Sequence, residues 1–354
     1  MSRFMDKKYA SLEEYVPGEQ PKDMQYIKLN TNESPFPPSP KVVEAINSDE
    51  INKLELYPDP VCTGLTKRLA ETYGVKPENV FIGNGSDEVL NFSFMAFCED
   101  GAAFADITYG FYQVFADLYN IDEKVIPLRA DFSIGVEDYL NLNRCIFIAN
   151  PNAPTGLILP LDCIRKIIES NKDHVVIIDE AYIDFGGESC VQLVNEYDNL
   201  LVVQTYSKSR SLAGGRLGYA IGNAELIADL TKIKFSTNPY NINRLTLAAG
   251  EASLNDADYY RNNCQKIIEN RRYTTTELVK LGFEVLASCS NFVFARTGRM
   301  EGGELYLKLK AKGILVRHFD KERIKDYLRI TIGTKEQMTA LINTLETIFK
   351  EENR

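Results

Sequence analysis

From residue 80 to residue 221, short continuous apolar runs alternate with segments in which apolar positions recur every three or four residues. The runs, each bounded by turn-forming residues, predict strands at 80–82, 102–105, 124–128, 145–149, 175–178, 201–203 and 217–221. The periodic segments predict helices at 86–97, 112–119, 161–170 and 191–197. Strands alternating with helices imply a mostly parallel sheet wrapped on both faces.

The pattern changes on either side. Upstream, helices are predicted at 42–46 and 63–73, the second closed by Gly74. Before them Pro35, Pro37, Pro38 and Pro40 forbid a regular helix or a central strand, so residues 1–40 read as an extended arm. Tyr26, Ile27, Leu29 and Phe36 imply that this arm packs on something. Downstream come helices at 224–234 and 244–281, the latter broken near Asn255, then strands at 283–286 and 292–295 and a helix at 303–312. Strands at 315–318 and 327–332 and a closing helix at 335–350 complete the pattern. The division expected is an arm at 1–40, a large domain at 41–250 and a small α+β domain at 251–354.

Composition narrows the class without naming a chemistry. The 354 residues, 44% of them hydrophobic, suit an ordinary globular protein, and a formal charge of -10 argues against an extended nucleic-acid surface. The 7 cysteines are an odd number, none within four positions of another, so neither a disulfide framework nor a Cys-x-x-Cys metal site is expected. No apolar run is long enough to span a membrane and the first residues lack a secretory pattern; a cytoplasmic protein with reduced thiols is expected. The two histidines, His174 and His318, have no catalytic context.

Chemistry gathers where strands end. Gly83-Asn-Gly-Ser-Asp-Glu88 sits between a strand and a helix, where the amides of Gly85, Ser86 and Asp87 can meet an anion, or where Ser86 can simply cap the helix. Position 88 lacks the third glycine of a dinucleotide fingerprint. Thr108-Tyr109-Gly110 can present the ring of Tyr109 to a flat ligand. In Asn150-Pro-Asn-Ala-Pro-Thr-Gly156, a loop fixed by prolines can hold Asn152 as a donor. Asp179 ends a very apolar strand and needs a cation, either a pyridinium nitrogen or a magnesium ion; no Walker loop supports the second. Lys208 heads a polar loop that runs to Arg216 through Gly214 and Gly215. Parallel strands deliver their carboxyl ends to one edge, so these groups converge on one crevice.

In this order the motifs resemble the fold-type I pyridoxal-phosphate aminotransferases, and the resemblance covers nearly the whole chain. Leu29-Asn-Thr-Asn-Glu-Ser-Pro35, Leu56-Tyr-Pro-Asp-Pro60, Ser290-Asn-Phe-Val293 and Leu328-Arg-Ile-Thr-Ile-Gly-Thr334 are similar to one branch, whose substrate is a phosphorylated amino alcohol. The resemblance implies an α/β fold in which a large domain with a mostly parallel seven-stranded sheet between helices carries a smaller α+β domain. It implies pyridoxal 5'-phosphate as cofactor, an amino donor and a keto-acid acceptor as partners, and no metal. Lys208 would carry the cofactor as a Schiff base, Asp179 would pair with its pyridine nitrogen, and Asn152 and Tyr182 would contact its phenolic oxygen. Tyr109 would stack on the ring; Gly85, Ser86, Asp87, Ser207 and Arg216 would hold the phosphate, with Tyr57 reaching in from the other subunit of a homodimer. Arg329 and Arg317 would hold the anionic end of the substrate, and Tyr15 and Asn32 belong to the arm that covers it. The same cofactor groups serve aromatic amino-acid aminotransferases, threonine-phosphate decarboxylases and, without catalysis, cofactor-sensing regulators. Gly215 stands where the family usually has leucine, and Arg210-Ser211 where it usually has an aromatic residue and glycine.

Overall fold

The computed structural model describes residues 3–352 apart from 11, 14 and 47. Residues 1, 2, 11 and 14 of the expected arm, 47 of the expected large domain, and 353 and 354 of the expected small domain therefore lie outside the described residues. The arm carries strand β1 (Ile27–Lys28) and leads to helices α1 (Pro40–Ala45), α2 (Ser48–Ile51) and α3 (Thr63–Tyr73). Ser39 caps α1 by accepting from the Val42 amide, and Gly74 ends α3 at φ 66°, a left-handed position that glycine fills without strain.

The central layer then follows: β2 (Val80–Gly83), α4 (Ser86–Phe97), β3 (Ala102–Ala105), α5 (Phe111–Tyr119), β4 (Glu123–Ile126), β5 (Cys145–Ala149), α6 (Leu161–Ser170), β6 (Val176–Asp179), β7 (Leu200–Thr205) and β8 (Gly218–Gly222). Seven strands form one sheet in the order β2-β8-β7-β6-β5-β3-β4. Both faces are buried: Ile146, Ile148, Val176, Ile178, Leu200 and Val202 enter one core, and their neighbours Cys145, Phe147, Ile177, Leu201 and Val203 enter the other. That is why these strands read as continuous apolar runs instead of alternating ones.

The sheet is mostly parallel, as expected; within it strand β8 runs antiparallel to both β7 and β2. The link from β7 to β8 carries no α-helix, only the 3₁₀ turn Ala213–Gly215, whereas a parallel return usually runs through a helix. The helix expected at 191–197 is reduced to the 3₁₀ turn Cys190–Leu193, whose first amides are taken by side chains, Cys190 donating to Glu180 and Val191 to Ser189.

The chain leaves the sheet through α7 (Ala224–Thr237) and α8 (Arg244–Leu254), breaks at Asn255, and continues as α9 (Ala257–Lys280). Strands β9 (Phe283–Val285) and β10 (Phe292–Thr297), helix α10 (Gly302–Ala311), strands β11 (Ile314–Leu315), β12 (Arg317–His318) and β13 (Tyr327–Thr331), and helix α11 (Lys335–Glu352) follow. The order β12-β13-β10-β9 is antiparallel throughout and builds a separate core with α9, α10 and α11. The strand expected at 315–318 is split. Its first half, β11, pairs in parallel with β1, which seats the arm beside the second sheet, and the arm then meets the loops after β6 and β7 through Asn32–Tyr182, Thr31–Lys208 and Ser34–Ser211.

Candidate active site

Ser86, Asp87, Tyr109, Asp179, Tyr182, Ser207, Lys208 and Arg216 line one cavity of about 100 Å³ at the carboxyl ends of β3, β5, β6 and β7. The cavity exists because backbone approaches backbone there. A Cβ on Gly218 would lie 2.3 Å from the Ser86 amide nitrogen, and one on Gly85, which sits at φ 81°, would lie 2.7 Å from Nη2 of Arg216. Only glycine lets β8 pass beneath the start of α4, whose first amides have no partner within the helix and are suited to meet an anion. Arg216 ion-pairs with Asp87 at 2.9 Å, and the Tyr109 hydroxyl donates to the other oxygen of Asp87 at 2.6 Å. Burial and that carboxylate push the Tyr109 hydroxyl well above its ordinary pKa, so it stays a donor.

Asp179 and Glu180 end β6 on opposite faces of the sheet. Glu180 accepts from the Ser189 hydroxyl at 2.6 Å, the Cys190 amide at 2.6 Å and the Gln204 amide group at 2.7 Å, and does not line the Lys208 cavity. Asp179 faces the cavity. One of its oxygens accepts from the Tyr112 hydroxyl at 2.9 Å, the other from the Ala181 amide at 3.2 Å. Burial pushes Asp179 up to about 6 and Glu180 up to about 7, against the hydrogen bonds that hold each charged. Across from Asp179, Nζ of Lys208 donates to the Thr31 carbonyl at 3.3 Å and lies 5.7 Å from the Tyr182 ring centroid. Among the described residues no carboxylate lies within ion-pairing distance of Lys208.

A second cavity of about 400 Å³ shares Tyr109, Ala153, Tyr182 and Lys208 with the first, and adds Tyr15, Asn32, Arg317 and Arg329. Arg329, on β13, donates from Nη2 to the Asn30 carbonyl at 2.9 Å and lies over Phe292 and Phe319; its buried Nε has no hydrogen-bond partner. Burial pulls its pKa below the usual guanidinium value, so an anion arriving there relieves a cost that the fold already carries. Arg317 donates to the carbonyls of Val16 and Pro17 at 2.9 and 3.1 Å, which fastens the arm over the cavity. Tyr15 stacks on Phe111 at 4.3 Å, and Asn32 donates to the Tyr182 hydroxyl at 3.0 Å while accepting from Thr331.

Two expected residues stand elsewhere. Asn152 does not line the cavity: its amide group donates to the Ile107 carbonyl at 2.9 Å and to Thr155 Oγ1 at 3.1 Å, and its oxygen accepts from Thr108 at 2.8 Å. All its hydrogen-bonding groups are occupied in bracing the loop, and the neighbouring Ala153 faces the cavity instead. Asn152 is thus placed beside the cavity and not in its lining, while Tyr182 is the hydroxyl that lines it. Tyr57 is 79% exposed and stacked on Tyr240 at 4.6 Å, outside both cavities of its own chain. Arg210 packs its guanidinium over the rings of Tyr206 and Tyr260, which is how the loop accommodates a residue unusual for that position. The sequence reading missed Tyr112, because a tyrosine on the apolar face of a helix looks like core, and Ala153, which carries no functional group.

A phosphorylated pyridine aldehyde needs an amine, an anion opposite a ring nitrogen, a hydroxyl beside a ring oxygen and a phosphate cradle. Lys208, Asp179, Tyr182 and the Ser86, Ser207 and Arg216 cluster supply that set, and the space that Cβ atoms at Gly85 and Gly218 would fill is the cradle.

The family model "Aminotransferase class I and II" matches residues 24–345. The chain is similar to the histidinol-phosphate aminotransferase of Brachyspira hyodysenteriae, with 53% identity over 99% of this chain and 100% of the other. It is likewise similar to that of Clostridium acetobutylicum, with 49% identity over 98% of this chain and 99% of the other. The fold matches the solved histidinol-phosphate aminotransferase of Sinorhizobium meliloti in complex with pyridoxal-5'-phosphate at a TM-score of 0.86 and 22% identity, covering 98% and 99% of the two chains. Among the described residues no helix is long and apolar enough to cross a membrane.

Proposed function

The chain belongs to the class I and II aminotransferases, and we propose that it exchanges the amino group between L-histidinol phosphate and 2-oxoglutarate, forming imidazole-acetol phosphate and L-glutamate in histidine biosynthesis. Its cofactor is pyridoxal 5'-phosphate. When bound, the cofactor offers a carbonyl that condenses with amines and a ring that takes up the electron pair of a broken C–H bond.

The chain's own groups divide the work. Lys208 anchors the cofactor and, once displaced by the substrate amine, moves the proton at the substrate's amine-bearing carbon. Asp179 keeps an anion opposite the pyridine nitrogen, Tyr182 donates to the phenolic oxygen, and Tyr109 covers the ring. The Ser86 and Asp87 amides, Ser207 and Arg216 hold the cofactor phosphate, while Gly85, whose own amide donates to the Gly83 carbonyl at 2.9 Å, leaves the space for it. Arg329 and Arg317 take the phosphate of the amino alcohol in one half of the reaction and a carboxylate of the acid in the other; both are oxyanions that a guanidinium can meet with paired hydrogen bonds. Tyr15 and Asn32 close the arm over the substrate and exclude water. The exposed ring of Tyr57 serves the other subunit of a homodimer, and the enzyme works in the cytoplasm.

The observation that carries this reading is the unpartnered Nε of Arg329 in the same cavity as the unpaired amine of Lys208. It supports a substrate with an amine at one end and an oxyanion at the other. The test is the visible absorption of the holoenzyme on adding L-histidinol phosphate without any keto acid. The band bleaches, and 2-oxoglutarate restores it. Bleaching by phenylalanine or tyrosine but not by histidinol phosphate would move the substrate to aromatic amino acids, and release of carbon dioxide from threonine phosphate would make the enzyme a decarboxylase. Light scattering on the eluted protein, expected at twice the 40.0 kDa chain mass, checks the dimer.

A further inference from the structure

Tyr112 is fully buried, and its hydroxyl makes one hydrogen bond, to Asp179. Its ring is fixed from several sides: by Phe94 and Phe104, by Phe147 at 5.6 Å, and edge-on by Tyr109 at 5.8 Å. A tyrosine needed only to fill this space would leave no role for its oxygen. Among the described residues Tyr112 is also the single side chain that donates to Asp179, since the other donor is the Ala181 amide.

We propose that Tyr112 is a positioning residue of the cofactor site: its hydroxyl orients the Asp179 carboxylate toward the cavity and sustains it as an anion. The proposal rests on the reading that Asp179 faces the pyridine nitrogen. The remaining groups facing Asp179 do not serve in its place. Lys208, from the loop after β7, favours its charge, but that amine is consumed in the chemistry. Asp87, from the start of α4, opposes it, and Tyr109 is already committed to Asp87. Glu180 lies on the other face of the sheet with donors of its own. With the Ala181 amide on the other oxygen, the Tyr112 bond is the one side-chain support for the Asp179 anion that persists through turnover.

The direction of the effect follows from burial. Burial raises the Asp179 carboxyl to about 6 with the Tyr112 bond in place and acting downward. Removing the bond raises it further, so a larger fraction of Asp179 is neutral near pH 7 and ionises only at higher pH. The experiment measures the affinity of the apo protein for pyridoxal 5'-phosphate between pH 5.5 and pH 9, by equilibrium titration, for the wild type, Tyr112→Phe and Asp179→Asn. Tyr112→Phe deletes one oxygen and keeps the ring, and a thermal melt of each apo protein checks that the fold is retained. A hydrogen bond to a charged group corresponds to roughly a tenfold to hundredfold loss of affinity near pH 7. This loss shrinks as pH rises, so the binding curve of Tyr112→Phe is displaced to higher pH, while Asp179→Asn binds weakly at every pH. Wild-type affinity in Tyr112→Phe, or a loss that is the same at every pH, overturns the proposal. If Asp179→Asn itself binds as the wild type does across the range, the role given to Asp179 fails first and the proposal falls with it.

Discussion

The floor and the wall of the site are built by different means. The floor, around Lys208, Asp179 and the start of α4, uses residues within a few positions of a strand end, so the order of strands in one sheet brings them together. The wall, around Tyr15, Asn32, Arg317 and Arg329, joins residues about three hundred positions apart. Its frame is the two-residue ladder β1–β11 and hydrogen bonds between side chains and backbone carbonyls. A floor anchored in a sheet buried on both faces is rigid and suits chemistry that needs fixed distances. A wall held by a few polar contacts can part and close again, which suits admission of substrate.

The sharpest separation of the two is Lys208→Ala. It removes from the floor the amine proposed as anchor and proton carrier, and kcat is expected to fall about 10⁴-fold. The wall is untouched, so binding of L-histidinol phosphate to the cofactor-loaded variant, followed by calorimetry, should stay within about threefold of normal. Turnover close to wild type would remove Lys208 from the centre of the mechanism.

Arg329→Ala probes the wall with a smaller effect. Loss of charged hydrogen bonds predicts a rise in KM for L-histidinol phosphate of about 10- to 100-fold, with kcat changed far less. L-Histidinol, which lacks the phosphate, should lose little. Arg317→Ala should cost less than Arg329→Ala, because two of its donors are already given to Val16 and Pro17. Equal losses for the phosphorylated and unphosphorylated amines would mean that Arg329 holds the wall together and does not read the substrate's anion.

The same contrast explains what could be read in the chain. The seven strands show as apolar runs because the sheet is buried on both faces, and the place of Lys208, Asp179 and Ser86 follows from the shared direction of β2, β3, β5, β6 and β7. The reversal of β8 goes with a link that carries no crossover helix, and strand direction leaves no mark on hydrophobic period. Arg317 and Arg329 are pointed out by resemblance to known enzymes and by nothing in the pattern. The parallel pairing of Ile27 with Ile314 and of Lys28 with Leu315, which brings the arm over them, is two residues long and leaves no periodic trace. Tyr112 was hidden by the same apolar periodicity that identifies its helix.

Asn152 marks the limit of reading a motif in the floor itself. Its segment was rightly placed at a strand exit, but periodicity does not set side-chain direction in a loop held by Pro151, Pro154 and Gly156, and adjacent residues there face different ways. Asn152 faces inward to Ile107, Thr108 and Thr155 and stitches the turn after β3 to the turn after β5. Asn152→Ala leaves a buried carbonyl and a hydroxyl short of partners, a cost of about 1–3 kcal/mol. The urea midpoint of the apo protein should fall accordingly, while affinity for pyridoxal 5'-phosphate stays within about threefold, because Ala153 and not Asn152 borders the cavity. A tenfold loss of cofactor affinity with unchanged stability would return Asn152 to the floor and give the phenolic oxygen a second donor beside Tyr182.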